Sequence, residues 1–459
     1  MKCFFIGLIF LSTFSVAQES GAIIDTVFCS HKPDQSYALY LPTNYNPSQK
    51  WPAIFVFEPA ARGRLPVLKY KKAAEQLGYI IIASNNSKNG SWDLAFDAGD
   101  AMFLDAFNRF SIDPKRVYTS GFSGGSRVAS AVASMTRKIN GVIACGAGFA
   151  SGQNYRLKQD SEVLYVALVG DKDMNYQEHR LLQDELDKKN IRNNKIIFNA
   201  GHQWPNSSQL LEALYWLELQ QAKLGWATSN NFNINDAFYY VKMRADSTLD
   251  SGNYLLSVEI YEQIIRDFKG LIDIDYIQPK VDSIKDTRVF KKQMKRQLKI
   301  NDQELAYRQE IADAFTELYF TKLKSTDDNL KDISWWRNKI DHFKRISNKS
   351  DFQMQNMGLR LINAVWARCA ESSANYISLS DYETAHVLTK LWLYAEPNLW
   401  GKWTLARVLA FQNNANFYKY LNEVLAESNR MSSSYIANDP AFEIYLEEEK
   451  MRKILSNLK

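Results

Sequence analysis

From residue 37 to residue 224 the chain alternates between two apolar rhythms. Short runs such as "YALYL" (37–41), "AIFVF" (53–57), "YIIIAS" (79–84), "VYTSG" (117–121), "GVIACG" (141–146), "LYVALVG" (164–170) and "KIIFNA" (195–200) read as strands, several of them apolar at consecutive positions. That is the pattern of parallel strands buried on both faces. Between them, residues 67–77, 92–110, 124–135, 177–189 and 207–223 space their apolar positions three and four apart and predict helices. Strands that alternate with helices predict an α/β domain with a doubly wound sheet over residues 18–224.

After "AKLGWATSNNFN" the texture changes, and residues 225–233 read as a linker. From Ile234 to residue 459 there is no β-branched alternation, only long helical patterns rich in Tyr, Trp, Leu, Lys and Glu. Within this all-helical half, "SGNYLLSVEIYEQII" and "SDYETAHVLTKLWLYAEP" each resemble the second helix of a tetratricopeptide repeat. Tyr254 and Tyr382 are 128 residues apart, which is not a multiple of the ~34-residue period. The expectation is therefore an irregular, tetratricopeptide-like helical array, with an unrelated helical bundle as the alternative.

Residues 1–17 join one positive charge, a short apolar run and Ser15-Val16-Ala17, the small-x-small pattern of a cleaved export signal. They predict secretion or periplasmic delivery, with Gln18 as the first mature residue. The apolar run is shorter than the ~20 residues a spanning helix needs, and no later segment is apolar enough to cross a bilayer. Beyond the signal the chain keeps Cys29, Cys145 and Cys369, too few and too scattered for a disulfide framework, although a Cys29–Cys145 bridge is left open. Charge is nearly balanced, 56 basic against 51 acidic residues for a net +5, so it gives no reason to expect nucleic acid as a partner. The densest basic run, "FKKQMKRQLK" (290–299), reads as a solvated helix face.

The chemistry gathers at "GFSGGSR" (121–127), where a strand runs through glycines into a helix. A serine hydroxyl must project from the backbone and hand its proton to a base before it can attack a carbonyl carbon. A sharp strand-to-helix turn flanked by glycines holds Ser123 in that way. The helix N-terminus and the Gly124 N–H then point at the oxygen that becomes negative. Of the five histidines, only His202 follows a strand in a glycine-initiated loop, "GHQWP" (201–205). The strand before it ends in "DKDMNY", which offers Asp171 and Asp173 as the acid.

With "GFSGGSR", the spacing Gly170-x-x-Asp173 and "GHQWP", residues 37–224 resemble an α/β-hydrolase of the esterase group that includes polyhydroxybutyrate depolymerases and feruloyl or acetylxylan esterases. The resemblance implies a catalytic triad of Ser123, Asp173 and His202, with Asp171 as the rival acid. It implies neither metal nor cofactor. The chain departs from the group where His-Gly usually follows the third strand, because "FVFEPAARGR" carries Glu58-Pro59 there. The second oxyanion donor falls loosely on Ala60 or Ala61, and Glu58 is expected to pair with Arg62 or Arg64. In "SNNSKNGSW" (84–92), Asn86, Asn89 and Trp92 are candidates to contact a polar, aromatic or sugar-bearing substrate, the alternative for Trp92 being a packing role. The reading is a secreted or periplasmic carboxylic-ester hydrolase acting on a small, polymeric or carbohydrate-linked ester, with a helical half that could bind a protein partner. Two alternatives stay open: a hydrolase-like binding scaffold with little or no activity, and a peptidase of the same fold.

Overall fold

The computed structural model describes residues 19–322, 333–427 and 431–458; the leader expected over residues 1–17 lies outside them. Eight strands, β1 (Ile23–Cys29), β2 (Lys32–Tyr40), β3 (Trp51–Phe57), β4 (Ile80–Ser84), β5 (Ile112–Phe122), β6 (Gly141–Cys145), β7 (Leu164–Gly170) and β8 (Asn193–Phe198), form one sheet in the order β1-β2-β4-β3-β5-β6-β7-β8. The β1 and β2 strands pair antiparallel, β2 joins β4 antiparallel, and β4, β3 and β5 run parallel. Helices α1 (Arg64–Leu77), α2 (Trp92–Arg109), α3 (Gly124–Thr136), α4 (Tyr176–Lys188) and α5 (Ser207–Lys223) alternate with the strands. This is the α/β-hydrolase arrangement. Every residue of β3, β4, β6 and β7 is buried, as their unbroken apolar runs require.

The β1 strand was not anticipated. It is an edge strand whose pairing to β2 breaks register between Ile24 and Val27, so Asp25 and Thr26 interrupt any alternation. Eleven helices, from α6 (Ile234–Asp250) and α7 (Tyr254–Phe268) to α14 (Phe417–Glu427), α15 (Ser433–Ala437) and α16 (Glu449–Ser456), and one six-residue 3₁₀ turn are the regular elements among the described residues of the C-terminal half; they include α9 (Arg288–Lys322), α10 (Ile333–Ser347), α11 (Phe352–Ser378) and α12 (Tyr382–Ala395). Helices next to each other in sequence pack together, α10 on α11 and α11 on α12 among them. Among the described residues, one apolar core forms around Trp336, Phe343, Leu361 and Leu388 and another around Trp403, Phe417 and Phe442.

The chain divides into two compact units, and the division is not the one expected at residues 225–233. The first unit runs through Ala144 and takes in Phe149–Tyr165 and Asn206–Asn233. The supposed linker is therefore part of it: Ser229 is buried, and its N–H donates to the Glu218 carboxylate at 2.7 Å. Glu218 in turn pairs with the buried Arg116 at 2.6 Å. The second unit joins Cys145–Gly148 and Val166–Pro205 to all of Ile234–Lys459. The end of the sheet and the helices thus form one body. The change of sequence texture marks a change of secondary structure rather than a boundary between cores.

Candidate active site

In the first unit, Ser123 stands between the end of β5 and the start of α3 with φ 53° and ψ −121°. A residue with a side chain reaches that region only under strain of order 1–3 kcal/mol, which the surroundings must impose. The glycines show how they do so. A Cβ on Gly121 would stand 2.3 Å from the Gly125 carbonyl, and one on Gly125 would stand 2.1 Å from the Phe57 carbonyl oxygen. The turn closes only because strand, helix start and the end of β3 approach backbone to backbone. The Ser123 carbonyl then accepts from the N–H groups of Ser126 (3.0 Å) and Arg127 (3.3 Å), which starts α3. Gly124 is the first residue of that helix, where an N–H has no partner within the helix.

In the second unit, the turn after β7 carries Asp171, Lys172 and Asp173, and the turn after β8 carries His202. His202 Nδ1 lies 3.0 and 2.9 Å from the two carboxylate oxygens of Asp173. Asp173 is fully buried, and its carboxylate also accepts from the Asn175 N–H at 2.8 Å. A buried carboxylate on Nδ1 fixes the imidazole tautomer and leaves proton transfer to Nε2.

The rival acid has another task. The Asp171 carboxylate accepts from the Ala200 N–H (3.1 Å) and from Asn356 Nδ2 on α11 (3.0 Å). Burial pushes this carboxyl above the usual carboxylate range, against the pull of Lys172 and of those two donors. Two further residues of α11 hold the same turn: Arg360 Nη1 donates to the Asp171 carbonyl at 2.8 Å, and Asn363 Nδ2 to the Lys172 carbonyl at 2.9 Å. Positions 356, 360 and 363 follow the i, i+4, i+7 spacing of one helix face. This helix therefore grips the backbone that carries Asp173.

Arg360 is itself fixed by a buried ion pair. Its Nη2 meets the fully buried Glu304 of α9 at 2.6 Å, and its Nε lies 2.9 Å from the other carboxylate oxygen. Arg308 (3.0 Å) and Gln177 of α4 (2.9 Å) complete the shell around Glu304. Burial alone would raise the Glu304 pKa; Arg360 and Arg308 outweigh it and hold the carboxyl below its usual value. A depressed carboxylate adds stability that is fully present above its unfolded value of about 4.3 and is lost as pH falls through the lower folded value. Arg360→Met, which leaves Glu304 without its main partner, is expected to cost about 3–5 kcal/mol in urea unfolding. Adding Glu304→Leu should restore part of that loss. A single Arg360→Met variant within about 0.5 kcal/mol of the parent would show that the pair does not hold this unit.

The loops next to Ser123 correct three expectations. Glu58 is fully buried and pairs with Arg62, as anticipated, through Arg62 Nε at 3.1 Å; Arg64 pairs instead with Asp25. The Glu58 carboxylate also accepts from the N–H groups of Ala60 (2.7 Å) and Arg62 (3.1 Å), while the Ala61 N–H reaches the Glu58 carbonyl at 3.2 Å. Ala60 and Ala61 are thus engaged and do not offer the second oxyanion donor. Asn86 does not face a substrate either: its Oδ1 accepts from the Ser36 N–H at 2.8 Å and its Nδ2 donates to the Asp34 carbonyl at 3.1 Å. Trp92 takes the packing role, its ring stacked on Tyr155 at 4.8 Å between centroids.

Asn89, by contrast, lies against the Ser123 turn, its Oδ1 1.9 Å from where a Gly124 Cβ would stand. The clamp of Asn356, Arg360, Asn363 and Glu304 went unread in the sequence. Its signal is the polar i, i+4, i+7 stripe on α11, which by itself reads as a solvated face.

No family model matches the chain, and no curated protein matches it. Solved structures that are similar to it include a substrate-bound fluorophosphonate-binding serine hydrolase F of Staphylococcus aureus, at 12% identity and TM-score 0.36 over 43% of this chain and 98% of that one. A ferulic acid esterase is 15% identical, at TM-score 0.35 over 43% of this chain and 95% of that one. An esterase of Thermogutta terrifontis is 14% identical, at TM-score 0.35 over 46% of this chain and 94% of that one.

Proposed function

We propose that the chain is a serine hydrolase that cleaves carboxylic esters with Ser123, His202 and Asp173. The observation that carries this reading is the His202 Nδ1 hydrogen bond to the buried Asp173 carboxylate in the second unit; the first unit adds a serine held at a strained strand-to-helix turn. In the proposed reaction His202 Nε2 takes the Ser123 hydroxyl proton as Oγ attacks the acyl carbon. The ester C–O bond breaks, the alcohol leaves with that proton, and the acyl group remains on Oγ. Water then attacks the acyl carbon, giving its proton to His202. The carboxylic acid departs and the proton returns to Ser123. Asp173 keeps the imidazole in the required tautomer and stabilises its cation. The start of α3 presents the Gly124 N–H to the developing oxyanion.

The engagement of the Ala60 N–H by Glu58 favours a second reading, a hydrolase-like scaffold with little activity. Labelling the purified protein with a fluorophosphonate probe separates the two. Stoichiometric labelling that vanishes in Ser123→Ala is expected; no labelling of the parent would leave the scaffold. We place the protein outside the cytosol by way of residues 1–17, and the labelled band from the cell envelope should begin at Gln18.

A further inference from the structure

We propose that the side-chain amide of Asn89 is the second oxyanion donor, replacing the backbone N–H groups that Glu58 has captured. The proposal rests on Ser123 being the nucleophile.

An acyl-transfer site needs two donors aimed at the oxygen that gains charge, and removing one lowers turnover by about 10²–10³. The Gly124 N–H can serve as one. The loop after β3 would ordinarily give the other, but its N–H groups at Ala60, Ala61 and Arg62 all donate to Glu58. They cannot be released cheaply. Glu58 is fully buried, and the bonds from the Ala60 and Arg62 N–H groups together with the Arg62 guanidinium compensate its charge.

The loop after β4 supplies what is missing. It is fastened to the loop after β3 by the Asn89 N–H, which donates to the Pro59 carbonyl at 2.8 Å, and by an antiparallel bridge between Ala60 and Lys88. So held, Asn89 lays its carboxamide across Gly124. Oδ1, Cγ and Nδ2 stand 1.9, 2.8 and 3.3 Å from the place a Cβ would take. A side chain at position 124 would displace the Asn89 carboxamide. This side chain is exposed, so a half-turn about its Cβ–Cγ bond exchanges Oδ1 and Nδ2 at little cost and turns the NH₂ toward an oxyanion bound at the Gly124 N–H. The two-point backbone tether fixes where the carboxamide starts from, leaving its own side-chain torsions to aim it at the oxyanion.

Asn89→Ala and Asn89→Asp in the full chain should each lower kcat for a small chromogenic ester by about 10²–10³, with KM changed only a few-fold, because the donor acts on the transition state rather than on the bound ester. The urea midpoint should not move, since the side chain is exposed. If both variants keep kcat within about threefold of the parent while Ser123→Ala abolishes turnover, Asn89 is not the donor and the hydrolase reading stands. A fall in kcat matched by a lower urea midpoint would assign Asn89 to holding the loop, which also overturns the proposal. If Ser123→Ala itself keeps parental turnover, the hydrolase reading falls and takes this one with it.

Discussion

Ser123→Ala is expected to reduce ester hydrolysis by about 10⁴–10⁶, His202→Ala by as much, and the double variant no further, because nucleophile and base act as one unit. Asp173→Asn should cost about 10⁴, since an amide on Nδ1 stabilises the wrong tautomer and cannot balance the imidazolium. Asp171→Asn should do far less. An asparagine oxygen at 171 can still accept from the Ala200 N–H, and the backbone carbonyls that Arg360 and Asn363 hold are untouched. The measurement is kcat/KM on one small ester across the five variants and the parent. Near-parental turnover in Ser123→Ala would falsify the hydrolase assignment, and a reversed order of the two aspartates would move the acid to Asp171.

Residues 18–224 alone are expected to give no active protein, the opposite of what a modular reading of the sequence suggests. Such a fragment cuts through the second unit, keeping Val166–Pro205 and losing Ile234–Lys459, the rest of that unit. Gln177 would lose Glu304 and Asn301, and Lys195, 8% exposed, would lose Glu259 at 3.1 Å. Burial alone would lower the Lys195 pKa and the Glu259 carboxylate raises it, so losing the partner leaves an uncompensated cation. The turn that carries Asp173 would lose three donors at once: Asn356, Arg360 and Asn363. Paired kinetics and circular dichroism on fragment and full chain decide the matter. A soluble, folded fragment that turns over a small ester within about tenfold of the full chain would show the helices to be dispensable.

The sheet was legible because its central strands are buried on both faces and carry their signal in continuous apolar runs such as Leu164–Gly170. The β1 strand was not, because an exposed edge strand with a break in register has no rhythm to read. His202 and Ser123 could be picked out as site candidates because each sits just past a strand, where local sequence fixes the turn. Spacing preferred Asp173 to Asp171 as the acid; what the sequence does not announce is that Asn356 donates to the Asp171 carboxylate while His202 meets Asp173. The Ala60 assignment failed because the fate of an N–H depends on where a neighbouring carboxylate folds. Here Ala61, at φ 58°, turns the loop back over Glu58, and nothing in "FEPAARG" announces that. The junction at 225–233 failed for a related reason. Texture reports secondary structure, whereas the extent of a folded unit depends on contacts such as Gln177–Glu304, which joins residues 127 apart on either side of that stretch.

The grip of α11 on the acid turn also sets a timetable. Asn356, Arg360 and Asn363 lie 185 to 191 residues beyond the atoms they hold. At ~5–20 residues per second, a ribosome that has completed the Asp173 turn needs about 10–40 s more to make the residues that fix it. During that interval the nascent chain already contains serine, aspartate and histidine, but the aspartate's backbone is untethered. On the proposed reading the site is complete only once Asn363 has been made, and a chain that stops before it carries the three proposed residues without the clamp on the Asp173 turn.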